Sequence, residues 1–228
     1  EDIINLIEKI NDALAAEPVS ADGGVGIGNR EIDDIAAAEM DKVFLEVVMA
    51  PSFTPGAVKI LSSKKNRIIL QRKSAGNEKA SFRSMLGGVL WQDRDGSTET
   101  ASMMKPVTGR HPTEEEYDDM VFANKIVKHS RSNAIVLARG RQLCASGIGQ
   151  TSRIDALRQA INKAQAFGFS LEGAVMASDA YFPFADSVTT AHEAGISAVV
   201  QPGGSVRDQE SIDYCNKTGV AMVFTGVR

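Results

Sequence analysis

Apolar residues recur at helical spacing in Ile3, Ile4, Leu6, Ile7, Ile10, Ala13 and Leu14. With Asp2 near the start and Pro18 beyond the end, they predict an amphipathic helix over 1–16. Residues 17–29 are rich in turn formers. Gly23, Gly24, Gly26 and Gly28 superficially suggest a phosphate cradle, but no predicted strand precedes them and no Lys-Ser/Thr pair closes the run. Ile35, Ala38, Val43, Leu45 and Val47 then give an apolar face behind Asp33 or Asp34, either of which can cap, and predict a helix to about Val48. Pro51 and Pro55 break it. A short helix over 56–61 and a strand over 67–71 follow, separated by a solvated turn at Lys64 and Lys65. Residues 73–80 read as a loop and 82–92 as an extended run through Gly87 and Gly88, with Trp91 packed near its end. From 93 to 112 charge, glycine, threonine and proline dominate, which places the internal boundary or linker there.

The second half alternates more cleanly. Thr113 followed by Glu114, Glu115 and Glu116 marks a capped helix start with acids at the positive end of the helix dipole, and Tyr117, Met120, Val121 and Ala123 carry the helix toward Val127. The acids are read as capping and solvation, not as a metal cluster. Residues 134–138 form a buried strand, 139–142 a hairpin turn and 143–146 its partner. A helix over 152–167 turns Ile154, Leu157, Ile161 and Ala164 inward. A strand, loop and helix over 173–195, a strand at 198–200, a loop at 203–205, a helix at 207–218 and a last strand at 221–224 complete an α/β pattern.

With 228 residues, 43% hydrophobic and 24% charged, the chain can bury a sizeable core. A net charge of -4 argues against a nucleic-acid partner while leaving room for local anion sites. No apolar run approaches the ~20 residues that span a membrane, and the start lacks a signal-peptide pattern, so the expectation is a cytoplasmic protein with no membrane partner. Cys144 and Cys215 are too few for a disulfide framework and, with His111, His129 and His192, match no zinc spacing. Both cysteines read as small buried hydrophobes.

Four loops carry polar or aromatic residues that the elements alone do not explain. Lys128-His129-Ser130-Arg131-Ser132-Asn133 precedes a strand, while Gly147-Ile148-Gly149-Gln150-Thr151-Ser152-Arg153 and Gln201-Pro202-Gly203-Gly204-Ser205 open helices. Ligands of α/β proteins collect at strand ends, and helix N-termini accept anions through free N–H groups, so an anionic small molecule is expected. Arg153 is either a bidentate fork for phosphate or carboxylate or a surface arginine at a helix end. Lys128-His129 is either an acid/base pair or a solvated helix end. In the loop from Ala177 to Asp186, Tyr181, Phe182 and Phe184 suit either a ligand-binding surface or a core cluster. No Ser/His/Asp arrangement stands in motif context.

Five motifs in order carry a resemblance: the loops at 128–133 and 147–153, Ala177-Ser178-Asp179-Ala180-Tyr181-Phe182-Pro183-Phe184, Gln201-Pro202-Gly203-Gly204-Ser205-x-Arg207-Asp208 and Val223-Phe224-Thr225-Gly226-Val227-Arg228. Together they resemble the AICAR transformylase domain of the bifunctional AICAR transformylase/IMP cyclohydrolase enzymes of purine biosynthesis. Looser agreement at Glu17-Pro18-Val19-Ser20, Met49-Ala50-Pro51-Ser52-Phe53 and Lys64-Lys65-Asn66-Arg67 extends it over roughly residues 12–228. The resemblance implies cytidine-deaminase-like layered α/β units without that group's zinc. A truncated first repeat and connecting segment would occupy 1–105 and a complete second repeat 106–228. It further implies metal-free formyl transfer from the co-substrate 10-formyltetrahydrofolate to the 5-amino group of AICAR, in a homodimer with its site at the subunit interface. Glu17, Asn133, Arg153, Tyr181 and Arg228 would contact AICAR, with Asn133 and Arg153 reaching across the interface, Tyr181 near the ring and Arg228 on the phosphate. Ile154, Asp186, Ser205 and Val206 would line the folate side, and Phe182 to Phe184 would be packed support.

Departures from the family pattern shape the expectation. The Lys-His-x-Asn-x-Cys-Gly motif that holds the family's proton-handling histidine is absent from the 228 residues, and Lys128-His129 belongs to a different motif, so no catalytic residue is assigned. The cyclohydrolase domain and the His-Phe-x-His tail are missing as well. The chain therefore reads as a truncated or stand-alone transformylase piece with impaired turnover. The alternatives are a non-catalytic nucleotide- or folate-binding module or a dimerisation scaffold. Glu17 replaces an Asp, Asp22 an aromatic residue, Gly26 and Gly28 strand formers, and Tyr181 a Phe; these predict a charge at an apolar packing position and a weakened first repeat.

Overall fold

The computed structural model describes residues 2–74 and 79–227. The middle of the loop expected at 73–80, and Arg228, lie outside the described residues. The molecule is mixed α/β with several sheets and divides into two compact units, Glu1–Ile10 with Val19–Thr98 and Asn11–Pro18 with Glu99–Arg228. The first helix, α1 (Asp2–Ala15), contributes to both.

In the first unit β1 (Gly24–Ile27), α2 (Asp34–Met40), β2 (Leu45–Ala50), α3 (Pro55–Leu61) and β3 (Ile68–Gln71) make a parallel sheet of order β1-β2-β3. Asp33 caps α2 by accepting the Ala36 N–H at 2.8 Å, and Thr54 caps α3 ahead of Pro55 in its first turn. Ala36, Ala37, Met40, Ala57 and Leu61 pack on Leu45, Val48 and Ala50. Arg67 ties these parts together: its buried guanidinium donates to Asp41 at 2.6 Å and, with Nε, to the Leu61 and Leu45 carbonyls.

Several sequence expectations change here. The helix expected to reach Val48 stops at Met40, because Leu45, Val48 and Ala50 face inward as a strand between two neighbours and the β-branched Val47 and Val48 favour that pleat. The glycine run contains β1. A Cβ on Gly26 would lie 2.8 Å from Met40 Cε, so the glycine lets the strand approach α2. Asp22 is exposed and places no charge in an apolar site. The run 82–92 is a hairpin of β4 (Ala80–Met85) and β5 (Gly88–Asp93), which pair only with each other among the described residues. Trp91 is not packed in a core: it stacks on Phe82 with centroids 6.4 Å apart, and both rings are exposed.

The second unit holds β6 (Lys105–Pro106), α4 (Glu114–Lys128), β7 (Ile135–Arg139), β8 (Gln142–Gly147), α5 (Arg153–Ala166), β9 (Val175–Ser178), α6 (Asp186–Glu193), β10 (Ala198–Gln201), α7 (Asp208–Thr218) and β11 (Ala221–Phe224). The sheet order is β6-β11-β10-β9-β7-β8, with β9, β10 and β11 parallel and the other pairings antiparallel. Helix α4 covers one face through Met120, Ala123 and Val127. The other face packs on α5, α6 and α7 through Leu157, Ile161, Val188 and Cys215. The stretch expected as a linker at 93–112 is partly built into this unit: β6 pairs with β11, Met104 is buried, and Thr108 Oγ1 accepts the Met222 N–H at 2.9 Å.

Both cysteines are buried, as expected, and burial pushes their thiols up, Cys144 to about 11 with help from the Asp119 charge and Cys215 to about 12. Thr113 and Glu116 form the expected capping box. Glu116 is not solvated, however, because it is buried between a two-pronged contact from Arg110 at 2.7 and 2.9 Å and the Ser197 hydroxyl at 2.6 Å. Burial works to raise its pKa, but these donors outweigh it and hold the carboxyl below its ordinary range. Asp119 is also buried and accepts the Gly140 and Arg141 N–H groups, fixing the turn between β7 and β8. Among the described residues no helix is long and apolar enough to cross a membrane.

Candidate functional site

The five motif loops open at one end of the six-stranded sheet. Strand β7 begins there, and because it runs antiparallel to β8 and β9, while β9, β10 and β11 are parallel, β8, β9, β10 and β11 finish there. Hydrogen bonds then join the loops. The Asn133 N–H and carbonyl exchange bonds with Gln150 at 3.2 and 3.3 Å, and Asn133 Nδ2 donates to the Gln150 and Thr151 carbonyls. Asn133 Oδ1 accepts from Arg153 Nη2 at 2.9 Å.

Arg153 is the first residue of α5, behind the N-cap Ser152, whose hydroxyl accepts the Asp155 N–H. Its side chain is only 10% exposed. Nη1 donates to the Tyr181 carbonyl at 3.0 Å, and Nη2 reaches Asp179 Oδ1 at 3.2 Å as well as Asn133. Nε is buried without a hydrogen-bond partner among the described residues. The surface-arginine alternative does not hold: the guanidinium is buried and joins three loops. Asp179, 8% exposed, holds the other end by accepting the Ala134 N–H at 3.0 Å and the Ser132 hydroxyl at 2.5 Å. Burial favours its neutral form, yet the Ser132 and Ala134 bonds and the Arg153 charge prevail and hold it below the usual carboxylate range.

The aromatic loop divides by position. Phe182 is fully buried and its N–H meets Gln201 Oε1 at 3.3 Å, whereas Tyr181 is 41% exposed. Phe184 is not the packed support expected of it. It sits in the turn before α6, half exposed, with the Arg207 guanidinium 4.6 Å from its ring centroid. On the side assigned to folate, Asp186 opens α6 and its Oδ1 accepts the Ser187 N–H. Ser205 is held by its N–H to Asp208 Oδ2 at 3.0 Å, Val206 is fully exposed, and Ile154 is half-buried against the core.

The structure thus brings Asn133, Arg153 and Tyr181 into one hydrogen-bonded cluster, with Ile154 next in the chain, Asp186 at the start of α6, and Ser205 and Val206 on the loop after β10, at the same sheet end. Glu17 is not among them. Its carboxylate pairs with Lys163 in the last turn of α5, about 15 Å along that helix from Arg153. His129 is the exposed C-cap of α4. Asp179 and Ser132 lay inside quoted motifs without a role; a carboxylate just after a buried strand, facing an arginine at a helix start, was the available signal. A cleft of about 600 Å³ lined by Arg110, Glu116, Asp119, Arg139 and Ser197 lies at the opposite sheet end and includes none of these residues. Among the described residues no three His, Cys, Asp or Glu side chains gather as a metal site.

The family model described as AICARFT/IMPCHase bienzyme matches residues 4–163. The chain is 58% identical over 98% of its length to the bifunctional purine biosynthesis protein PurH of Bacteroides thetaiotaomicron, covering 44% of that protein. It is 49% identical over 98% of its length to PurH of Acetivibrio thermocellus and 48% over 95% to PurH of Aquifex aeolicus, covering 44% and 42% of them. The chain therefore spans less than half the length of these relatives. Among solved structures, a Thermotoga maritima diaminohydroxyphosphoribosylaminopyrimidine deaminase/5-amino-6-(5-phosphoribosylamino)uracil reductase overlaps 46% of this chain and 34% of its own. Its TM-score of 0.33 at 18% identity is too low to speak to the fold.

Proposed function

Because the chain belongs to the AICARFT/IMPCHase bienzyme family, we propose that it carries part of an AICAR transformylase site, in which the AICAR amine takes the formyl group of 10-formyltetrahydrofolate. The amine nitrogen bonds to the formyl carbon, the bond from that carbon to folate N10 breaks, and the amine proton ends on N10. The observation that carries this reading is the cluster of Asn133, Arg153 and the Tyr181 backbone at the meeting point of the family's motif loops. A polar constellation locked by Asp179 before ligand arrives needs little reorganisation, which is what positioning and electrostatic catalysis require. In this proposal Asn133, Arg153 and Tyr181 face AICAR and Ile154, Asp186, Ser205 and Val206 face the folate. Arg228, outside the described residues, takes the phosphate, and Glu17 joins only in the assembled enzyme, since its carboxylate is engaged with Lys163.

The proposed assembly is a homodimer of cytidine-deaminase-like repeats, the second spanning 106–228. The absence of the Lys-His-x-Asn-x-Cys-Gly motif from these residues favours binding over turnover for the chain alone, since loss of a positioned proton acceptor costs ~10²–10⁴-fold in rate. Calorimetry with AICAR and with 10-formyltetrahydrofolate, beside a transformylase assay, tests the reading. Saturable AICAR binding that weakens about tenfold in Tyr181→Ala, the cost of ~1.4 kcal/mol for a lost ring contact, supports it. Failure of the folded wild-type chain to bind either ligand overturns it.

A further inference from the structure

Two polar side chains are buried where a sheet core normally takes apolar ones. Ser178 and Gln201 are the last residues of β9 and β10, neighbouring parallel strands whose paired register ends one step earlier, at Ala177 and Val200. They are 1% and 0% exposed. Burying a hydroxyl or an amide costs free energy unless it is hydrogen-bonded. Both are bonded, and to one short stretch of chain: Ser178 Oγ donates to the Ala180 carbonyl at 2.6 Å, and Gln201 Oε1 accepts the Phe182 N–H at 3.3 Å. The other end of the Gln201 amide is taken up by Met222 Sδ, 3.5 Å from Nε2. With Arg153 donating to the Tyr181 carbonyl at 3.0 Å, the peptide groups on both sides of Tyr181 are held by side chains. Phe182 anchors the chain just beyond in the core, while Tyr181 itself stays 41% exposed.

We propose that Gln201 and Ser178 are positioning residues: they fix the backbone of Tyr181 and, through it, the direction in which its ring meets a ligand. The two soft dihedrals of a residue lie between its flanking peptide groups, so holding both groups leaves only the side-chain torsions to settle on binding. A loop ordered in advance has already lost the freedom that an unheld loop would lose with the ligand, and this raises affinity. The role rests on the reading of Tyr181 as a ring that faces AICAR. Buried as they are, Gln201 and Ser178 act on a ligand only through the loop. An apolar side chain of similar volume at either position could fill the same space, but it would leave the Phe182 N–H or the Ala180 carbonyl without its bond.

Amide hydrogen exchange followed by NMR needs no ligand, so its outcome is separable from that of the formyl-transfer proposal. The Phe182 N–H is expected to exchange slowly in the wild type and at least about tenfold faster in Gln201→Met, while the sheet amides of Met176 and Val199 keep their rates. An unchanged Phe182 rate, or equal acceleration of all three amides, overturns the inference. Calorimetry supplies the second measurement. Gln201→Met should weaken AICAR about fivefold, as for one lost hydrogen bond, and leave 10-formyltetrahydrofolate within about twofold. In a Tyr181→Ala background the same substitution should change AICAR affinity by less than about twofold, since no ring remains to be positioned. Equal losses in the two backgrounds overturn the inference, because a merely structural lesion adds to the loss of the ring. Ser178→Ala, which removes a single oxygen, is read in the same way should Gln201→Met not fold. Failure of the wild-type chain to bind AICAR sinks the formyl-transfer reading, and the exchange rates then decide whether Gln201 holds Tyr181.

Discussion

Arg153 Nη2 lies 3.2 Å from Asp179 Oδ1, with both side chains about nine-tenths buried. The pair joins the start of α5 to the end of β9, and Asn133 and Tyr181 hang on the same guanidinium. Breaking a buried pair strands one charge, so Asp179→Asn is expected to lose about 3 kcal/mol at pH 7. The native pKa of Asp179 is depressed below its unfolded value of about 3.9, so its contribution is complete above that pH and is lost as pH falls through the native value. Urea titrations at pH 7 and pH 3 check this. The margin of wild type over the variant should shrink at pH 3, and a constant margin would reject the role given to the carboxylate.

Gly147, at the end of β8, touches α5. A Cβ there would sit 1.9 Å from the Ala156 carbonyl oxygen, and neither backbone can yield cheaply. Gly147→Ala is expected to cost at least about 2 kcal/mol, seen as a lower urea midpoint with an unchanged slope.

The start of α4 separates two effects at one place. Thr113→Ala removes a side-chain cap and should cost ~1 kcal/mol. Glu116→Gln keeps that cap but removes the charge that binds Arg110 and Ser197, so it should cost more than loss of the cap. Its excess over Thr113→Ala should fade as pH drops below about 4.3, because the native carboxyl titrates lower than the unfolded one. Equal costs for the two variants at pH 7 would contradict the burial of Glu116.

Cys144 and Cys215 should both resist a thiol reagent at pH 8, since pKa values of about 11 and about 12 leave almost no thiolate in the native state. Both should react at once in denaturant. Stoichiometric native-state labelling within minutes would contradict their burial.

The second unit was legible because its strands are short apolar runs set off by turn residues and its helices carry caps, as Thr113 and Ser152 show. The first unit was harder to read. Ile35, Ala38, Val43, Leu45 and Val47 happen to satisfy a helical spacing, but tertiary pairing with β1 and β3 decided the conformation of the last two. Proximity of Asn133, Arg153 and Tyr181 was legible only through the family motifs. Nothing local tells that Arg153 spends its donors inside the protein, because Asp179 lies 26 residues away and reaches it through the sheet.

Strand β6 is two residues long, lies on the outer edge of the six-stranded sheet beside β11, and contains Pro106. A proline offers no N–H to an incoming strand, and two residues give too short a template for one. This edge is therefore closed to polymerisation: a misfolded neighbour cannot extend the sheet there into a growing fibre.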